Sequence, residues 1–86
     1  MFARPKSSVF IDAVVFEVES NEQASALKAV LKDESGCIIC SLLAEVPEGK
    51  THYRWHGLDN LPYGIYELEM HHGEEETSRM RMVKRV

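Results

Sequence analysis

The chain has 86 residues, 44% hydrophobic and 28% charged, a composition that fits a folded globular domain and excludes wholesale disorder. So short a chain makes one domain, with little surface from which to enclose a deep active site. Acidic residues outnumber basic ones 14 to 10, and the formal net charge of −4 has the wrong sign for a protein that neutralises phosphates, so no nucleic-acid partner is expected.

Residues 1–7 read as a disordered tail ahead of a single domain over 8–86, with Pro5 and two serines before the first strong pattern. The N-terminal residues lack the apolar run of a signal peptide, and no stretch approaches the roughly 18 apolar residues of a membrane-spanning helix. Residues 9–18 (VFIDAVVFEV) are β-branched and aromatic, with polar residues only at Asp12 and Glu17, which predicts one strand apolar on both faces. Residues 20–23 (SNEQ) read as a turn or loop.

Residues 24–32 admit two periodicities. Ser20 and Gln23 offer a capping box, and Leu27, Val30 and Leu31 fit a helical stripe, so a short helix near residues 21–31 is open. Leu27, Ala29 and Leu31 also alternate with Lys28, Val30 and Lys32, and the turn signal at 33–36 (DESG) runs straight into CIICSLLAEV. A hairpin is the favoured reading.

Residues 37–46 read as a third strand, again apolar on both faces. Residues 51–56 make a fourth, with Tyr53 and Trp55 on one face and His52, Arg54 and His56 on the other. Residues 65–72 make a fifth, with Tyr66, Leu68 and Met70 inward and Glu67, Glu69 and His71 outward. After a turn at Gly73 and the acidic run Glu74 to Glu76, residues 78–86 make a sixth, with Met80 and Met82 on one face and Arg79 and Arg81 on the other. The expected fold is all-β: a small antiparallel β-sandwich of about six or seven strands.

The residues that could carry chemistry are sparse in pattern. Cys37 and Cys40 have the C-x-x-C spacing, but Ile38 and Ile39 between them place the pair on a strand, where positions three apart face opposite ways; two free thiols are expected. His52 and His56 share a strand face but stand about 13 Å apart, and His71 and His72 point to opposite faces, so no metal and no cofactor is expected. No nucleophile elbow, paired-carboxylate arrangement or glycine-rich phosphate loop occurs, and no catalytic residue is assigned. Tyr53, Trp55, Tyr63 and Tyr66 cluster in the chain. Trp55 and Tyr66 read as core plugs, which leaves Tyr63 as the aromatic available to a ligand.

Residues 55–66 (WHGLDNLPYGIY) carry a resemblance. Trp55 with Gly57, then Pro62, Gly64 and Tyr66, resemble the corner of immunoglobulin-like and prealbumin-like bacterial sandwich modules. In it Pro62 presets a turn, Gly64 permits a backbone conformation that a side chain forbids, and Tyr66 re-enters the core. Flagellar hook-capping immunoglobulin-like domains, C-terminal sorting domains of the type IX secretion system and collagen-adhesin B-type repeats are similar in this course. Sorting domains also end on a Lys/Arg-bearing strand, as RMRMVKRV does here, but the Tyr-Pro-Asn-Pro-like element that opens them is absent before Val9. The last strand also lacks the Asn with which adhesin repeats crosslink themselves.

The resemblance implies a non-catalytic accessory, sorting or protein-interaction module of a bacterial envelope or secreted protein. It would engage a protein partner or secretion machinery through a sheet edge and through Arg79, Arg81, Lys84 and Arg85, with an edge strand also open to homodimerisation. That setting requires a leader in a longer precursor. The alternatives are a carbohydrate-associated module using Tyr63 and a stand-alone cytosolic domain with free thiols.

Overall fold

Apolar and polar side chains alternate with a period of two over residues 51–56, 65–72 and 78–84, and β-branched and apolar residues dominate 9–18 and 37–46; strands follow from both patterns. The computed structural model describes residues 3–18, 25–49, 51–72 and 76–86, with the side chains of residues 25, 72 and 76 left aside. Among the described residues there are eight strands and no helix: β1 (Ala3–Pro5), β2 (Val9–Phe10), β3 (Val14–Val18), β4 (Ser25–Lys32), β5 (Ile38–Val46), β6 (His52–Trp55), β7 (Gly64–His72) and β8 (Glu76–Lys84).

They form a three-stranded sheet, ordered β1-β3-β6, and a five-stranded sheet, ordered β2-β8-β7-β4-β5. The first sheet contributes Ala3, Val14, Phe16, Val18 and Trp55 to the core. The second contributes Phe10, Leu27, Ala29, Leu31, Val46, Tyr66, Leu68, Met70 and Met82. The molecule is a small all-β sandwich, each sheet burying one apolar face against the other.

The expected single strand over 9–18 is two strands in different sheets. β2 runs parallel to β8 (Val9 opposite Val83), whereas β3 runs antiparallel to β1 and β6 (Val14 opposite Trp55). The chain bends at Ile11 and Asp12, both exposed, and the Asp12 carbonyl accepts a hydrogen bond from Leu58 N at 3.0 Å. Its apolar run, interrupted at the bend by Asp12, reflects this crossing from one sheet to the other. The β2–β8 pair also makes the sandwich mixed, where an antiparallel one was expected.

The expected tail supplies a strand as well. Ala3 is buried opposite Val18, and Lys6 N donates to the Val15 carbonyl at 2.8 Å. Pro5 is tolerated because β1 is an edge strand, where a missing N–H need not break a ladder. These two corrections account for eight strands in place of six.

The helix considered near 21–31 is absent from 25–31, which are strand; residues 20–24 lie outside the described residues. Leu27, Ala29 and Leu31 are fully buried, because β4 lies between β5 and β7 and its period-two stripe finds the core. The hairpin turn is held by Asp33: Oδ1 accepts from Ser35 N (2.9 Å), Cys37 N (3.0 Å) and Ser35 Oγ (2.6 Å), and Gly36 adopts φ 90°.

Candidate functional site

Residues 55–66 carry the chain from one sheet to the other. Trp55 ends β6 and is buried, Leu58 is buried behind it, and Gly57 turns the chain at φ 82°. A turn over 58–61, closed by Leu61 N to the Leu58 carbonyl at 3.3 Å, leads to Pro62. Gly64, at φ 140°, then starts β7. Tyr66 drops back into the core, its ring edge-on to Phe10 at 6.1 Å, and its hydroxyl donates to the Pro62 carbonyl at 2.7 Å. Burial pushes the Tyr66 phenol above its ordinary pKa, which keeps the hydroxyl a donor. The corner positions that the sequence singled out (Trp55, Gly57, Pro62, Gly64 and Tyr66) therefore act together in closing the sandwich.

Tyr63 is 67% exposed, as its loop position led one to expect, and lines an open depression with Ile39, Pro62 and Ile65 and with the polar turn at Asp33, Glu34 and Ser35. It is not a bare platform. Lys84 Nζ stands 5.6 Å from the ring centroid, at cation–π range.

Lys84 itself is placed differently from the sequence expectation. It was grouped with Arg79, Arg81 and Arg85, but it is only 3% exposed and follows Met80 and Met82 on the inward parity of β8. Its ammonium donates to the Arg85 carbonyl at 3.0 Å. Arg79, Arg81 and Arg85 are exposed and share the outer parity.

Three strands of the outer face alternate in charge. Glu67 lies opposite Arg81 on one side and Lys32 on the other, while Glu69 lies opposite Arg79 and Val30. Arg79 Nε reaches Glu67 at 3.6 Å and Glu69 at 3.9 Å, so the first arginine of the strand is already engaged. Arg81 and Arg85 make no ion pair among the described residues.

Glu69, expected to face solvent, is 9% exposed because its neighbours fold over it. Lys32 Nζ comes within 2.7 Å of Oε2, and His71 Nε2 lies 3.5 Å from Oε1. Lys32, and behind it Arg79 and His71, hold the Glu69 carboxyl below the ordinary carboxylate pKa against the opposing pull of burial. Period-two charges at Lys28 and Lys32, Glu67 and Glu69, and Arg79 and Arg81 were the sequence signal for this ladder. The missing information was the β4-β7-β8 order.

Comparison with protein-family models and with curated protein sequences returns no match.

Among the described residues, no three of His, Cys, Asp and Glu converge as a metal-binding group. His52 and His56 are exposed, and the side chain of His72 lies outside the described residues, as does the acidic run at 74–76. Both thiols are free. Cys37 is exposed at the end of the turn, and Cys40 faces the core, where burial raises its pKa. No helix among the described residues is long and apolar enough to cross a membrane.

Proposed function

We propose that this sandwich is a non-catalytic protein-interaction module, of the accessory or sorting kind that its resemblance to immunoglobulin-like and prealbumin-like bacterial domains implies for envelope and secreted proteins. The corner supports the resemblance: a tyrosine hydroxyl bonded back to the backbone a few residues upstream is a device of immunoglobulin-type sandwiches. The observation that carries the interaction reading is the pair Arg81 and Arg85. Both are exposed, Arg81 on the outer face of β8 and Arg85 one residue beyond its end, and lack an internal counter-ion among the described residues. They lie about 13 Å apart at strand rise, a spacing suited to two carboxylates on an extended acidic segment or sheet edge. Lys84 is excluded from this surface by its burial, and Arg79 is a secondary contributor because Glu67 and Glu69 hold it.

A photo-crosslinking residue at Val83, between the two arginines, tests this in the cells that make the protein. Discrete protein adducts are expected with Arg81 and Arg85 intact and should be lost in R81E/R85E. Adducts that persist unchanged in that variant, or none in either protein, would sink the reading. A carbohydrate-associated role rests on the exposure of Tyr63 alone; glycan binding abolished by Y63A would favour it.

A further inference from the structure

A second surface stands apart from the arginines. β5 is the outermost strand of the larger sheet, nine residues long, and among the described residues it pairs only with β4. Ile38 is 64% exposed, Ile39 39% and Leu43 76%. From Ile38 to Ala44 the strand holds no charge, no proline and no glycine.

Sheet edges are ordinarily blunted against pairing by brevity, charge or proline. The remaining edge strands are treated in that way: β2 has two residues, β1 carries Arg4 and Pro5, and the four-residue β6 carries His52 and Arg54. Among the described edge strands only β5 is long, apolar and unguarded, with the composition that drives strand association.

We propose that β5 is a dimerisation strand that pairs antiparallel with β5 of a second copy of this chain, with Ser41 opposite Ser41 of the partner subunit. Self-complementarity selects both the occupant and the register. In an antiparallel pair centred on Ser41, Ile39 faces Leu43 of the partner subunit, Ile38 faces Ala44 and Cys40 faces Leu42, while the two serine hydroxyls meet at the axis. Centring one residue later sets Glu45 against Ile39. Centring on Leu43 brings Pro47, which has no N–H, against Ile39. Centring on Cys40 leaves only residues 38–42 in register. The two-fold Ser41 arrangement alone matches apolar with apolar over the whole segment and places no carboxylate across from an apolar side chain of the uncharged stretch.

The assembly also closes. The opposite margin of the sheet is the two-residue β2, so joining two β5 strands gives one ten-stranded sheet ending in blunted edges, rather than a fibre.

Sedimentation velocity, at concentrations on the order of 100 μM that populate a dimer of micromolar affinity, tests the proposal. The wild type should sediment as a dimer and L43K as a monomer with unchanged far-ultraviolet circular dichroism, since the Leu43 side chain is exposed. A gain-of-bond experiment removes dependence on a loss. In a C37S/C40S background, S41C should form a disulfide-linked dimer on mild oxidation, because directly opposed strand residues have Cα atoms about 4.5–5.5 Å apart. L43C in the same background faces residue 39 and should not. A wild-type monomer throughout, equal crosslinking at 41 and 43, or open-ended growth with concentration would each overturn the proposal. R81E/R85E should remain dimeric, so this outcome is independent of the arginine surface.

Discussion

The Tyr66 hydroxyl donates to the carbonyl of Pro62, four residues earlier, at 2.7 Å. The bond ties the start of β7 to the loop that precedes it, while the same ring packs edge-on against Phe10 of β2. One side chain thus joins the crossover from the small sheet to the interior of the large one. Removing only the hydroxyl, in Y66F, should cost about 0.5–1.5 kcal/mol, the worth of one hydrogen bond. Y66A should cost about 3–5 kcal/mol, through the cavity left by a large aromatic. Urea unfolding followed by Trp55 fluorescence separates the two losses.

Gly64 precedes that ring at φ 140°, and a Cβ built there meets no atom within 4 Å. Any penalty for G64A is therefore one of backbone conformation rather than collision. It should destabilise the fold by about 1–3 kcal/mol, the cost of holding a side-chain-bearing residue in a region reserved for glycine. Chemical denaturation of G64A against wild type measures it, and a loss below a few tenths of a kcal/mol would refute the strain.

Two carboxylates should shape the acid limb of stability. Lys32 chiefly lowers the pKa of Glu69 below its ordinary value of 4.5, and Ser35, followed by Cys37, lowers that of Asp33 below 3.8. Folding thus lowers both pKa values relative to the unfolded chain. Their stabilisation is complete above those ordinary values and is lost as pH falls through them towards the lower folded pKa values. Melting temperatures of E69Q and D33N should fall short of that of wild type at neutral pH and converge on it as the pH drops past the lowered folded pKa values. A constant difference across the whole pH range would contradict the linkage.

The basic residues of the last strand should behave as two classes. R81E and R85E remove exposed side chains and should change stability by no more than about 0.5 kcal/mol. K84E would place a carboxylate where the ammonium now contacts Tyr63 and the Arg85 carbonyl, and should cost about 3 kcal/mol or more. Thermal melts of the three variants give the comparison directly.

The thiols should differ in reactivity. Cys37 is exposed and should be alkylated first. Cys40 faces the core with its pKa raised by burial, and should react at a rate limited by local opening of the β5 edge. Mass spectrometry after brief iodoacetamide treatment resolves the order, and equal rates would argue against the burial of Cys40.

Several elements were legible in one dimension. The stripes of Leu27, Ala29 and Leu31, of Tyr66, Leu68 and Met70, and of Met80 and Met82 marked core faces correctly, because a strand obliges alternate side chains to share a side. The corner at 55–66 and the exposure of Tyr63 were readable for a similar local reason: proline and glycine restrict or free the backbone wherever they stand. The break at Ile11 and Asp12 escaped notice because an apolar run looks the same whether it fills two faces of one strand or passes between two sheets. Ala3–Pro5 escaped because three residues are too few to show a period.

The amino-acid sequence by itself determined most of the strands, the inward faces of β4, β7 and β8 and the corner that closes the sandwich, all consequences of interactions within a few residues. Tertiary structure decided which strands are neighbours. That order buries Glu69 beneath Lys32 and Arg79, turns Lys84 inward, leaves Arg81 and Arg85 without counter-ions among the described residues, and sets the apolar β5 at the margin of its sheet. Neighbourhood depends on contacts between residues far apart in the chain, and it separates an arginine already neutralised from one available to a partner.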